Sequence, residues 1–355
     1  MIQDPLIRIL LAPFSLLYGI GMSLRDFFYR KRLLISFKFD VPVISVGNLS
    51  VGGAGKTPHI EYLIRLLRPY INVATLSRGY RRKSVGYRVV HPQSSVEEVG
   101  DEPLMFKRKF PDTFVTVNEQ RALGIPQIMK DMPDTQAILL DDAFQHREVE
   151  PGLNILLTEY NHPFTRDYIL PSGRLREWRS GYHRADIIIV TKCPEDITEE
   201  EKNKMTFEIN PYPHQQIYFS SYQHQRPYYI FNPNYQVELT TDISVLMVCA
   251  IANTEYMQDY LESKVDKVRV KAFADHHQFD RTDLEAILKS FEVMPGKKKV
   301  IVTTEKDAMR FSMHRQWLIE KQVPMVVLPV EVYFHFDGKE KFDEAVKKFL
   351  LDFKV

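Results

Sequence analysis

The stretch Ser45-Val46-Gly47-Asn48-Leu49-Ser50-Val51-Gly52-Gly53-Ala54-Gly55-Lys56-Thr57-Pro58 is the most informative in the chain. It follows an apolar run with the look of a strand, Val41 to Val46, and leads into a helix-like run, His59 to Leu67. A strand, a glycine-rich loop, a Lys-Thr pair and a helix together make a phosphate cradle. The glycines let backbone N–H groups converge on phosphate oxygens. Lys56 brings a point charge to the outer phosphates, and the Thr57 hydroxyl suits Mg²⁺. The expected phosphate-loop contacts are therefore Ser50, Val51, Gly52, Gly53, Ala54, Gly55, Lys56 and Thr57. The pattern G-x-x-x-x-G-K-[ST] departs from type at its first glycine, which is Ser50 here; Gly47, Gly52, Gly53 and Gly55 keep the loop free to bend.

Around this loop the first half of the chain alternates short strands with helices. Strands are expected at 41–46, 72–76, 113–117, 137–140, 154–157 and 186–191, and helices at 59–67, 102–110 and 119–130. Runs near-continuous in Val, Ile and Leu, separated by helices, imply a parallel sheet covered on both faces. Between 211 and 240 prolines, tyrosines and asparagines crowd together, and two tyrosine-rich extended runs there read as a paired connector. The β-α alternation then resumes as a smaller α/β unit closed by a helix over 339–353. The expected division is an N-terminal helix over 1–32, a P-loop domain over 33–212, a linker over 213–240 and a smaller domain over 241–355.

The 355 residues allow a large core, and apolar and charged fractions of 44% and 26% are those of a globular protein. A formal net charge of +1 argues against a nucleic-acid partner. The two cysteines, Cys193 and Cys249, lie too far apart in sequence for a metal-ligand pattern. At the N-terminus, Ile9 to Met22 is nearly all apolar and carries no charge. At about fourteen residues it falls short of the roughly twenty that span a bilayer, and Asp4 stands where a signal peptide needs a cation. The following Arg25-Asp26-Phe27-Phe28-Tyr29-Arg30-Lys31-Arg32 mixes aromatics with cations. Two readings stay open: a helix lying in a membrane interface, or a helix buried against the domain.

Several other stretches carry chemistry. Ala137 to Leu140 is an apolar strand ending in Asp141-Asp142, where P-loop proteins place the carboxylate that serves the metal. Gly100-Asp101-Glu102-Pro103 opens a helix, with Asp101 read as a cap and as a general base for a hydroxyl nucleophile, two roles that do not exclude each other. Ala274-Asp275-His276-His277 follows a strand of the second unit, and a histidine there suits a proton relay. Arg78, Arg81, Arg82, Lys83, Arg121, Arg174 and Arg176 follow strand candidates or sit near them, where loops line the crevice of an open α/β sheet, although Arg81, Arg82 and Lys83 read better as a solvated surface loop.

These pieces, in this order, resemble one family. The motifs GNLSVGGAGKTP, SRGY (77–80), GDEP (100–103), DDAFQH (141–146), LPSGRLRE (170–177), ADIIIVTK (185–192), ADHHQF (274–279) and TTEKDAMR (303–310) look like those of tetraacyldisaccharide 4′-kinase, over nearly the whole chain. The resemblance implies an α/β fold: a P-loop NTPase-type parallel-sheet domain with a second, smaller α/β domain joined by a two-stranded linker. It implies ATP and Mg²⁺, and transfer of the γ-phosphoryl to the 4′-hydroxyl of a tetraacylated glucosamine disaccharide 1-phosphate, a lipid A precursor. Lys56 and Thr57 would bind phosphates and Mg²⁺, with Asp141 and Asp142 serving the metal. Asp101 would be the base, assisted by His276 rather than His277, and Arg121, Arg176 and Glu177 would lie near ATP or the lipid head. The expected setting is the cytoplasmic face of a bacterial inner membrane, held peripherally as a monomer. Departures are Ala143 and Ala250, where the family usually has Gly. The alternatives are a membrane-recruited nucleotide switch, although no Asn-Lys-x-Asp stands at Thr191-Lys192, and a kinase for a soluble metabolite.

Overall fold

Strands β1 (Val43–Asn48), β2 (Val73–Ser77), β5 (Ala137–Asp141) and β7 (Ile187–Thr191) are buried along their whole length, as a parallel sheet covered on both faces requires. With β3 (Arg88–Val89), β4 (Phe114–Val117), β6 (Leu153–Glu159), β8 (Gln216–His224) and β15 (Val330–Phe334) they form a nine-stranded sheet in the order β15-β8-β7-β6-β1-β5-β2-β4-β3. Only its outermost strands run antiparallel to their neighbours: β15 beside β8, and β3 beside β4. A six-stranded sheet, β10-β9-β14-β13-β11-β12, is built from β9 (Tyr228–Tyr229), β10 (Asn232–Gln236), β11 (Ile243–Cys249), β12 (Lys267–Ala272), β13 (Lys298–Thr304) and β14 (Met325–Leu328). The helices are α1 (Pro5–Arg30), α2 (Lys56–Leu67), α3 (Val96–Val99), α4 (Asp101–Lys109), α5 (Arg121–Asp131), α6 (Glu199–Ile209), α7 (Glu255–Glu262), α8 (Arg281–Glu292), α9 (Glu305–Phe311), α10 (Arg315–Glu320) and α11 (Gly338–Asp352). This computed structural model describes residues 5–251 and 254–354.

β1 lies between β5 and β6, and the chain reaches those neighbours by crossing to opposite sides of it. The phosphate loop therefore leaves β1 where the sheet changes winding direction, the position at which open α/β sheets bind ligands.

The expected boundaries change in two places. The tyrosine-rich runs do not pair with each other. The first becomes β8, paired with β7 and β15, while the second enters the other sheet as β9 and β10. The closing helix α11 covers the nine-stranded sheet instead of the smaller unit: Phe342 and Val346 share a core cluster with Ile44, Val46 and Leu63. An amphipathic helix carries its apolar stripe in its sequence, but not the identity of the surface that stripe will meet.

Helix α1 is 26 residues long, and buries only Ser15 and Gly19 among its described side chains. Leu6, Leu10 and Leu17 are 76%, 73% and 68% exposed, which removes the buried-helix reading. By length and composition the helix is long enough to cross a membrane, although its charge-free run alone is not. Its polar contacts point elsewhere. The Ser15 hydroxyl accepts from Ser172 N (2.9 Å), Tyr18 donates to Arg176 O (2.8 Å), and Trp178 Nε1 donates to Gly19 O (2.9 Å). Arg25 donates to Gln145 O (3.0 Å), and Asp26 pairs with Arg147. A Cβ on Gly19 would stand 2.2 Å from the Trp178 ring, so glycine is what lets helix and domain meet.

Candidate active site

The phosphate loop turns on Gly52 (φ 120°) and Gly55 (φ 90°), conformations that side chains resist. At Gly55 a Cβ would also stand 2.1 Å from the Tyr222 hydroxyl, which packs onto the loop from β8. The 170–177 segment braces the other side: Val51 N donates to Arg174 O (2.7 Å), and Arg176 N to Leu49 O (2.8 Å). Lys56 opens α2. Its ammonium lies 3.2 Å from Asn48 Oδ1 and 3.7 Å from Asp142 Oδ1.

The register Val46↔Asp141 sets the end of β5 beside the start of the loop. Asp141 is buried; Ser77 Oγ approaches its Oδ2 at 3.5 Å, and its Oδ1 has no hydrogen-bond partner. Burial, with Glu102 and Asp142 nearby, pushes its carboxyl up to about 7. Asp142 has positive φ and turns toward Arg176, whose guanidinium meets it at 2.9 and 3.3 Å. Burial works against its charge, but Lys56 and Arg176 outweigh that and hold it well below the usual carboxylate range. Adjacent acids thus differ sharply, the carboxyl of one raised by burial and that of the other held down by its cationic partners.

These groups line a cavity of about 470 Å³ whose opposite wall comes from the six-stranded unit, including His276, Glu305 and Lys306. His276 (φ 59°) follows β12, packs against the Tyr80 ring at a tilt with centroids 4.7 Å apart and sets Nδ1 3.3 Å from Asp101 Oδ2. Asp101 begins α4 and is 3% exposed. Its carboxylate accepts from Glu102 N (3.1 Å) and faces Arg310 Nε (3.3 Å) from the other unit. Burial opposes its charge, yet the His276 hydrogen bond and Lys306 hold it far below the ordinary carboxylate value.

Of the expected residues, Val51, Gly52, Gly53, Gly55, Lys56, Thr57, Arg121, Asp141, Asp142, Arg176 and His276 line this cavity. The others sit behind it. Ser50 pairs with Leu175, and Ala54 is in the core with its carbonyl accepting from Thr191 Oγ1 (2.9 Å). Glu177 is held away by Arg184 (2.8 Å) and Gln145 (3.0 Å). Asp101 stands behind His276, so the histidine is the member of the pair that faces the cavity. Arg121 is 1% exposed and gives NH2 to Asp141 O (3.1 Å); burial lowers its guanidinium to about 10. His277 points away, onto Asp283 (2.7 Å) and the Phe273 ring.

Sequence reasoning gave no role to Asn48, Glu102, Lys306 or Arg310. Lys306 and Arg310 fall inside TTEKDAMR, and that motif's strand-then-helix position was the signal available. Asp101, Glu102 and His276 have ligand atoms within 4.8 Å of one another, as a metal site would. Lys306 Nζ, 2.9 Å from Glu102 and 3.1 Å from His276 Nε2, already supplies the positive charge there.

Comparison with known proteins bears on this geometry. Residues 7–351 match the family model of tetraacyldisaccharide-1-P 4′-kinase. Proteins named tetraacyldisaccharide 4′-kinase from Phocaeicola vulgatus and Flavobacterium johnsoniae are 42% and 41% identical to it. The alignments take in 96% of this chain and 94% of the first relative, and 97% of this chain and 98% of the second. The crystal structure of LpxK from Aquifex aeolicus in complex with ATP superimposes with a TM-score of 0.74 at 27% identity, covering 97% of this chain and 99% of that one. A phosphate loop facing an Asp-His pair across an inter-sheet cavity, on a chain matched from end to end, makes this protein a member of the tetraacyldisaccharide-1-P 4′-kinase family.

Proposed function

We propose that this protein phosphorylates the 4′-hydroxyl of tetraacyldisaccharide 1-phosphate with ATP, in lipid A biosynthesis. The observation that carries the reading is the single cavity with Lys56 and Thr57 on one wall and His276, backed by Asp101, on the other. The hydroxyl oxygen attacks the γ-phosphorus, forming the new O–P bond as the bond to the β,γ-bridging oxygen breaks and ADP leaves. The hydroxyl proton passes to the Asp101–His276 pair. Such a transfer needs alignment and charge neutralisation more than covalent help. Lys56 and the loop's backbone N–H groups align the phosphates, and Arg176 steadies Asp142.

The residues fit Mg²⁺. Asp141 has a buried oxygen without a partner and a carboxyl raised by burial, and a divalent cation would satisfy both. Thr57, Asp141 and Asp142 would hold the ion, which when bound supplies charge neutralisation at the phosphates.

The exposed apolar face of α1 suits a substrate whose acyl chains stay in a bilayer. Contacts from Ser15 to Asp26 hold the helix along the domain, so we read it as lying in the interface and not crossing it. Peripheral attachment at the cytoplasmic face, where ATP is available, follows from that reading. The test is transfer of labelled phosphate from ATP, with Mg²⁺ and detergent, to tetraacyldisaccharide 1-phosphate. Mg²⁺-dependent product supports the assignment. An unphosphorylated lipid, with nucleotide binding intact, would turn the reading toward a nucleotide switch.

A further inference from the structure

His276 has a carboxylate on each side of its ring. Asp101 Oδ2 is 3.3 Å from Nδ1, and Asp275 Oδ2 is 3.9 Å from Nε2. A neutral imidazole carries one N–H, which can sit on the nitrogen facing either acid. The backbone fixes where the ring sits, because His276 N donates to Ala250 O (3.1 Å) and Arg81 donates to His276 O (2.8 Å). Neither contact chooses the protonated nitrogen. Lys306 does: its Nζ is 3.1 Å from Nε2, and an ammonium has only donors, so Nε2 must accept. The proton is then on Nδ1, donated to Asp101. Glu102, 2.9 Å away, fixes the ammonium in turn. Burial alone would lower Lys306, but Glu102 and Asp101 outweigh it and keep it charged.

We infer that Lys306 is a positioning residue that holds His276 in the tautomer with Nδ1–H on Asp101 and Nε2 open as a proton acceptor. The inference rests on the reading of Asp101 and His276 as the base. When the sugar hydroxyl docks, it takes the place of Lys306 at Nε2. As the O–P bond forms, the hydroxyl proton moves to Nε2, and Asp101 balances the imidazolium. Lys306 stays on Glu102. A base oriented by a second group in the wrong tautomer is a poor base even when its position is right.

The test is two-bond ¹H–¹⁵N correlation on full-length ¹⁵N-histidine-labelled protein in detergent, with the His276 signals identified by their loss in His276→Gln. The wild-type ring should be neutral and protonated on Nδ1. In Lys306→Met the proton should move to Nε2 or divide between the nitrogens. Its kcat should fall on the order of a hundredfold, the low end of what a positioned proton-transfer group contributes. KM for ATP should change less than about threefold, the signature of losing an interaction made only in the transition state. Lys306→Arg should retain the wild-type tautomer. A wild-type ring protonated on Nε2 or on both nitrogens overturns the inference, and so does an unchanged tautomer in Lys306→Met. Should Lys306→Met fail to fold, Lys306→Met with Glu102→Gln removes the stranded carboxylate and gives the same readout. Normal turnover by His276→Gln would instead overturn the base assignment beneath the inference, a failure separate from that of the tautomer.

Discussion

The two walls of the cavity are built differently. The phosphate-loop wall is local in sequence. Gly52, Gly55, Lys56 and Thr57 come from one strand-loop-helix unit, braced by Asp141 from the adjacent strand and by Arg176. The opposite wall is assembled from a distance. Asp101 is on α4 of the large sheet, while His276, Lys306 and Arg310 reach it from the other unit through contacts of 3.3, 2.9 and 3.3 Å along the Asp101-Glu102 edge. The first wall exists once its own domain folds. The second exists only while the two units are together, so on the proposed reading closure would exclude water and complete the base in one event.

This contrast predicts which measurements separate. Lys56→Ala should cause the largest loss, with turnover down on the order of 10³-fold or more and ATP binding weakened as well, read by steady-state assay and calorimetry. Asp101→Ala should lower turnover by about 10²- to 10³-fold while its Kd for ATP stays within about threefold of wild type. Equal damage to ATP binding by both variants would break the division between the walls. Deleting residues 1–28 should weaken partitioning into anionic vesicles about tenfold, an apolar face being one of the signals such anchoring needs. Unchanged partitioning would leave the exposed leucines of α1 without a purpose.

The smallest expected effect concerns stability, and it sharpens the comparison. The Asp141 carboxyl stands near 7 when folded against an ordinary 3.8, so the folded chain holds the proton more tightly than the unfolded one. Stability must then fall as pH rises from about 4 to 7, and stay lowered above that. Asp141→Asn should remove that loss, melting roughly 2–4 °C above wild type at pH 8 by scanning fluorimetry, with the gap narrowing toward pH 5. Mg²⁺-ATP should raise the wild-type midpoint more than the variant's. A variant less stable than wild type at pH 8 would show that Asp141 is structural and not strained in readiness for a cation.

The pieces whose physics is local were legible along the chain. The Gly-Lys-Thr loop between a strand and a helix, the apolar strand ending in Asp141-Asp142 and the helix opening at Asp101 were all readable, because turn, cap and burial preferences act over a few residues. His276 was also favoured over His277, though only from its place in a motif. What the sequence left undecided are matters of who meets whom. It did not show that α11 returns to the first sheet or that the tyrosine-rich runs go to different sheets. Nor did it show that Glu177 turns to Arg184 and that His276 stands between Asp101 and the cavity, with Lys306 on its far nitrogen. Apart from Glu177 and Arg184, which stand seven positions apart, these depend on contacts between residues tens to hundreds of positions apart, and such pairings are set by the packing of whole surfaces, which leaves no periodicity for a reader of one chain to find.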